Sequence, residues 1–237
     1  DQEEVNYLKK AISISEISLE NTLKFIKIGM SELEVKLFLI QQLYINGAEG
    51  LSFDPIVLGA ENSALPHGHS SENKKLQKGD TILFDFGGTY KGFNADITRT
   101  FFLGEINELQ KNVYENVLKA NLVGIENSIT SKSMHEVDDL TTRVLENGDY
   151  RNFIVHKTGH GLGLDVHEDP YVVRGNHSKL EKGMIITVEP GLYIPNKFGD
   201  IWMYVSISKS SFINNYLIHN SSINYFYTIK IFFIQKE

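Results

Sequence analysis

The sequence has no cysteine among its 237 residues. That excludes disulfides and thiolate metal ligands, so a bound metal must be held by carboxylate and imidazole. The same absence suits a cytoplasmic setting. Basic residues are outnumbered, with 23 Lys and Arg against 30 Asp and Glu and a formal net charge of −7. The acidic residues are scattered and no basic face clusters, which argues against a nucleic-acid partner. A membrane-spanning stretch is also missing. The most apolar segment, "INYFYTIKIFFI", is too short to cross a bilayer as a helix and carries a lysine. Its composition is that of an aggregation-prone β segment. The N-terminus, "DQEEVNYLKKA", has no apolar signal core and begins inside a helical pattern, so an upstream part is expected.

What is present fits one large domain or two small ones, either able to bury a substantial core. Residues 3–28 carry apolar positions at helical spacing (Val5, Leu8, Ile12, Ile17, Leu19, Leu23, Ile26), with Gly29 as a stop. Ser31 and Glu34 form a capping box that opens a second helix through Tyr44. "FDPIVLG" reads as a strand starting at or near Pro55. "TILFDFGGTYKGFNADITRTFFLG" reads as two strands with a hairpin at Gly87-Gly88. Helices are predicted over 107–127 and 133–147, the latter with Ser133 and Glu136 as its box. "MIITVEPGLYIP" is a further strand.

The chain repeats itself. "KLQKGDTILFDFG" at 75–87 aligns without gaps to "KLEKGMIITVEPG" at 179–191. Lys75, Leu76, Lys78, Gly79 and Gly87 recur as identical residues, and Asp85 falls on Glu189. Each copy follows two helical segments. Two helix-then-strand halves, each delivering a carboxylate from an apolar strand, predict a pseudo-twofold α+β domain with a site between the halves.

The chemistry-bearing residues cluster around those strands. Asp85, in "ILFDFG", is a buried acid that must be paired, protonated or metal-bound. Asp96 lies on the return strand. A plainer alternative is an Asp96–Arg99 ion pair with Asp85 as a turn cap. "HKTGHGLGLDVHEDP" sets His156, His160 and His167 among Gly159, Gly161 and Gly163, which allow tight bends near a ligand. Asp85, Asp96, His160 and Glu189 form an O,O,N,O set that suits Mn²⁺, Fe²⁺, Co²⁺ or Zn²⁺ better than Ca²⁺.

"NSALPHG", "DFGGTYKGFNADITRT", "TGHGLGLDVHEDP" and "TVEPGLYIP", in this order, resemble the pita-bread metallopeptidases: prolidase, aminopeptidase P and methionine aminopeptidase. The likeness covers residues 3–201, and its first and third motifs favour the Xaa-Pro branch. It implies a curved antiparallel sheet covered by helices. It also implies a metal-bound hydroxide that cleaves the peptide bond before proline in short proline-containing peptides. Two divalent ions are implied, Mn or Co ahead of Zn or Fe. Asp85, Asp96, His160 and Glu189 would be ligands, with Asp96 bridging and Glu189 also moving the proton. His67 and His167 would act on the scissile peptide, and His156 would hold substrate on the proline side. Thr98 would orient the ligands from behind. The branch usually adds an N-terminal domain and a homodimer. His69, His135, His177 and His219 match no part of the pattern.

The likeness breaks at "FGDIWMYV", residues 198–205. The branch continues there with Arg-Ile-Glu-Asp, whose glutamate is the fifth ligand. Aligning Gly199 puts Trp202 on the arginine and Tyr204 on the glutamate. Asp200 lies roughly 13 Å from position 204 along a strand, too far to substitute. A Tyr204 phenol, with an unperturbed pKa of about 10, makes a poor bridge. The second ion is therefore expected to bind weakly. Past residue 205 the composition shifts to Ile, Asn, Ser, Phe, Tyr and Lys, with no Gly, Pro, Ala, Asp or Arg. The division expected is a catalytic domain over 1–205 and an atypical tail over 206–237 that is not native to the family. Three explanations compete: a diverged pseudoenzyme, a one-metal enzyme, or a frameshift or intron artefact, with the last favoured by the compositional boundary. The alternative functions are a catalytically dead module for peptide or protein binding and a methionine aminopeptidase-type enzyme.

Overall fold

The computed structural model describes residues 1–65, 68–194 and 203–206. His67, Asp200, Trp202 and the tail from 207 onward lie outside the described residues.

Helix α1 (Gln2–Phe25) begins where the Asp1 carboxylate accepts the N–H groups of Glu3 and Glu4. Its buried face repeats at helical spacing through Leu8, Ala11, Ile12, Ser15, Leu19 and Leu23. Gly29, at φ +93°, turns the chain. Helix α2 (Glu32–Ile45) then starts on the reciprocal Ser31–Glu34 box. These starts agree with the sequence because capping is local chemistry.

Strands β1 (Gly50–Leu51), β2 (Ile56–Gly59), β3 (Thr81–Phe86), β4 (Gly88–Tyr90), β5 (Phe93–Asn94) and β6 (Ile97–Phe102) follow. Helices α3 (Glu108–Glu126) and α4 (Met134–Asn147) come next, then β7 (Gly159–Gly161), β8 (Glu168–Val172), β9 (Gly191–Ile194) and β10 (Met203–Ser206). Every strand pairing among the described residues is antiparallel. The ladders run β2-β3-β6, β1-β4-β5, β7-β8 and β9-β10.

The hairpin differs from its sequence reading. β3 and β6 pair as expected, but the chain does not turn at Gly87-Gly88. It continues into a second small hairpin, β4–β5, that turns at Lys91 (φ +51°) and Gly92 (φ +81°). Gly87 serves close approach instead: a Cβ there would sit 1.7 Å from the Ala95 carbonyl oxygen. The strand predicted over "MIITVEPGLYIP" is also shorter, confined to β9. Residues 185–189 run alongside β7, with Thr187 N–H bonded to the His160 carbonyl and Glu189 N–H to the Thr158 carbonyl, both at 2.7 Å. Pro190 offers no N–H with which to extend that pairing.

The internal repeat is a structural one. Ser31 bridges Lys75, and Ser133 bridges Lys179, both antiparallel. Leu76 N–H bonds the Met30 carbonyl at 2.8 Å, and Leu180 N–H bonds that of Lys132 at 3.0 Å. Gly79 and Gly183 take φ of +92° and +96°. In the first half α1 and α2 bury Leu8, Leu39 and Leu43 against Phe84 and Phe86. In the second, α3 and α4 bury Val113, Val117 and Leu145 with Phe102, Leu192 and Ile194. Each buried side chain of that size stabilises the fold by about 1.5–3 kcal/mol. The first core carries β3 and β6, and the second carries β9, next to the extended 185–189 segment.

Candidate metal centre

The two halves bring their polar residues to one place. Asp85, on β3, lies opposite Thr98 of β6, whose hydroxyl donates to Asp85 Oδ1 at 3.1 Å. Asp96 stands just before β6 and is 7% exposed. From the other half, β7 presents His160, which is 2% exposed. Its Nε2 lies 3.4 Å from Asp96 Oδ2 and 3.1 Å from Glu189 Oε1. Its Nδ1 faces the Gly161 carbonyl at 2.9 Å. A proton on Nδ1 satisfies that carbonyl and leaves Nε2 turned to the carboxylates, the orientation a ligating imidazole needs.

The electrostatics are those of a site short of positive charge. Burial, and then the neighbouring Asp96 and Glu189 charges, hold the Asp85 carboxyl well above its ordinary value. Burial also raises Asp96, against the pull of its His160 hydrogen bond. Burial works to raise Glu189 too, but its hydrogen bond and attraction to His160 keep it lowered. Burial works to lower His160, yet the hydrogen bonds to Asp96 and Glu189 push it up to about 10. Three carboxyl groups and one imidazole are a poor balance for a dry interior, and a divalent cation among them would supply the missing charge. The donor set fits such an ion.

The remaining histidines are placed more loosely. His167, immediately before β8, sits with its ring centroid 4.3 Å from that of His160 at 77°. Asp96, His160 and His167 each bring a ligand atom within 4.8 Å of the others. The His167 imidazole is lowered by burial and by the His160 charge. His156 is half-buried, 5.6 Å from the Tyr193 ring and edge-on to it, and its Nδ1 meets the Lys157 carbonyl at 2.7 Å. Tyr204 lies in β10 directly across from Tyr193 of β9, four residues beyond Glu189. Outside the cluster, His135 accepts the Gly175 N–H at 2.8 Å and packs on His177.

Some supporting residues carried little sequence signal. The Thr187 hydroxyl donates to Glu189 Oε1 at 3.1 Å and accepts the His160 N–H at 3.0 Å. A hydroxyl two residues from an acid on an extended segment shares its face, which was the one available hint. Asn121 of α3 donates to the Val188 carbonyl at 2.7 Å. Gly124 lets α3 lie close, since a Cβ there would come within 2.7 Å of Val188.

Comparison with known proteins agrees with this fold. The chain is 35% identical over 198 residues to the Xaa-Pro dipeptidase of Pyrococcus furiosus, covering 84% of this chain and 57% of that protein. It superposes on the X-Pro aminopeptidase of Thermotoga maritima with a TM-score of 0.83 and 35% identity, over 88% of this chain and 58% of that one. The Xaa-Pro dipeptidase of Bacillus anthracis gives 0.83 and 39%, over 88% and 57%. This chain thus spans little more than half the length of these relatives. It shares their pita-bread α+β fold. The profile of metallopeptidase family M24 matches residues 6–218, and the chain belongs to that family.

Proposed function

We propose that this chain carries the catalytic unit of a metal-dependent exopeptidase that cleaves the peptide bond before proline. The observation that carries the reading is the meeting of Asp96 and His160, from opposite halves, at 3.4 Å, with Glu189 beside the same imidazole nitrogen at 3.1 Å. Asp85, Asp96, His160 and Glu189 hold the metal. A pair of divalent ions, Mn or Co ahead of Zn or Fe, would supply Lewis acidity and acidify water near neutral pH. Thr98 and Thr187 fix the carboxylates of Asp85 and Glu189 through the hydroxyl bonds described above. Glu189, turned to the same imidazole nitrogen and held by the Thr187 hydroxyl, would receive a proton from the attacking water and pass it to the leaving amine. His167, which is exposed beside His160, faces the substrate and donates to the carbonyl oxygen as charge develops there. His67 is assigned the same task from the other loop, and His156 the proline side. Substrates are short proline-containing peptides, the setting is cytoplasmic, and the full-length protein is a homodimer.

Residue 204 limits this activity. A tyrosine at the register position of the fifth ligand leaves the second ion weakly held, so hydrolysis by this chain is slow. The catalytic unit is residues 1–205, followed by a tail of atypical composition, although the family profile itself extends to residue 218. The test is a calorimetric Mn²⁺ titration of the wild type, Asp96→Asn and His160→Ala, with hydrolysis of an Xaa-Pro dipeptide measured in parallel. One tight site in the wild type, lost in both variants, is the result expected. Wild-type-like Mn²⁺ binding in His160→Ala would overturn the assignment. Two tight sites and a fast turnover would overturn the impairment. A wild type that binds peptide without metal would favour the non-catalytic module.

A further inference from the structure

We propose that Asp138, on α4, is a positioning residue that clamps the open end of the β7–β8 hairpin and so sets His160 and His167; this rests on the reading of those histidines as active-site groups. Asp138 is 5% exposed. Its Oδ1 accepts the N–H of Thr158 and its Oδ2 the N–H of Arg174, each at 3.1 Å. Thr158 is the residue before β7, and Arg174 stands two residues past the end of β8. One carboxylate therefore joins both strands just outside their last rung, Gly159 opposite Val172. The Arg174 Nε lies 4.0 Å from the same Oδ2 and also bonds Asp139 at 3.1 Å, which holds the Arg174 end in place.

The hairpin needs such a clamp. Its ladder has rungs at Gly159–Val172 and Gly161–Glu168 with an irregularity between them. A two-stranded ladder this short is marginal alone. A slip of one residue would turn His160 to the opposite face, away from Asp96 and Glu189. The hairpin is also rich in glycine, which leaves its backbone loosely determined. Aspartate is a weak helix former, and this one lies within α4. Its carboxylate serves the hairpin, through two N–H bonds to a charged acceptor, the stronger class of hydrogen bond.

The test compares Asp138→Asn with the wild type, both ¹⁵N-labelled at histidine. The isosteric amide presents an NH₂ group to one of the two N–H donors and releases one strand. The imidazole resonances of His160 and His167 should shift or broaden, while that of His69, in the other half, stays put. Mn²⁺ affinity should fall by about tenfold or more, the range for groups supporting metal ligands. Leu23→Ala, a buried truncation on α1 in the other core, controls for lost stability. It should lower Tm yet leave both histidine resonances and Mn²⁺ affinity at wild-type values. Unchanged resonances in Asp138→Asn, or the same shifts in Leu23→Ala, overturn the proposal. Should Asp138→Asn fail to fold, amide exchange in the wild type decides. Thr158 and Arg174 amides should be protected as strongly as Thr187, and rapid exchange at either overturns the clamp. A wild type that binds no Mn²⁺ counts against the metal reading alone, because the imidazole resonances still report on the hairpin.

Discussion

The side-chain amide of Asn94, on β5, donates to the carbonyls of Gly163 at 3.1 Å and Leu164 at 2.7 Å, in the loop between β7 and β8. The Asn94 backbone N–H reaches the Gly163 carbonyl as well, at 2.9 Å. A residue two positions from Asp96 thus holds the loop that leads to His167, and ties one half of the molecule to the other. Asn94→Ala leaves the Leu164 carbonyl without this donor and should cost about 1–3 kcal/mol. Asn94→Asp should cost more at neutral pH, because it sets a carboxylate against two carbonyl oxygens. Urea unfolding of the three proteins measures the order. An aspartate variant as stable as the alanine variant contradicts the donor role.

A second prediction concerns backbone contact. A Cβ at Gly159 would lie 2.0 Å from the Thr187 carbonyl oxygen, so β7 and the Glu189 segment pack backbone against backbone at this point. Gly159→Ala must push them apart. It should destabilise by about 1–3 kcal/mol and weaken Mn²⁺ binding by separating His160 from Glu189. Gly183→Ala is the contrast: at φ +96° with nothing within 4 Å of its Cβ, it carries only backbone strain, of about 1–2 kcal/mol. Its Mn²⁺ affinity should match the wild type. Calorimetry on both variants checks the split, and equal losses of affinity would show that stability alone governs binding.

These contacts mark the limit of what the sequence discloses. The repeat was legible because capping boxes and Lys-Gly turns are local: Ser31 and Ser133 cap their helices as the spacing predicts, and Gly79 and Gly183 take the same positive φ. Asp85, Asp96, His160 and Glu189 were legible as acids and an imidazole in apolar or glycine-rich surroundings, where solvent cannot account for them. Asn94 and Asp138 were not legible. Their partners lie 70 and 36 residues away, and an asparagine or a helical aspartate looks the same in sequence whether it faces water or holds a hairpin. Gly87 was misread for a related reason. A glycine kept for close approach to Ala95 and one kept for a turn differ only in their surroundings.

The proposed role of residue 204 gives a third prediction. β10 pairs with β9 in register, Tyr204 across from Tyr193, and on the reading proposed above residue 204 is the position of the fifth ligand. Trp202→Arg with Tyr204→Glu should therefore raise bound metal from one ion per chain to two. Elemental analysis after dialysis against Mn²⁺ measures the ratio, and Xaa-Pro dipeptide hydrolysis should rise with it. An unchanged ratio would show that residue 204 is not the position of the fifth ligand.

The metal should also decide the sign of a stability effect. Without a cation, burial raises both aspartates, and neighbouring carboxylates add to it, Asp96 and Glu189 at Asp85 and Glu189 at Asp96. Such a site costs the fold stability in exchange for binding. Saturating Mn²⁺ should stabilise the wild type by about 2.7 kcal/mol at a hundredfold excess over Kd. Asp96→Asn removes one of the repelling charges and keeps the shape of the side chain, and its remaining oxygen can still face His160. With chelator present the variant should be at least as stable as the wild type. With Mn²⁺ present it should be less stable, because it lacks a ligand. Thermal unfolding of both proteins under the two conditions tests the reversal. A variant less stable by the same amount in chelator and in Mn²⁺ would mean that Asp96 serves packing and not charge, and that the cluster holds no ion.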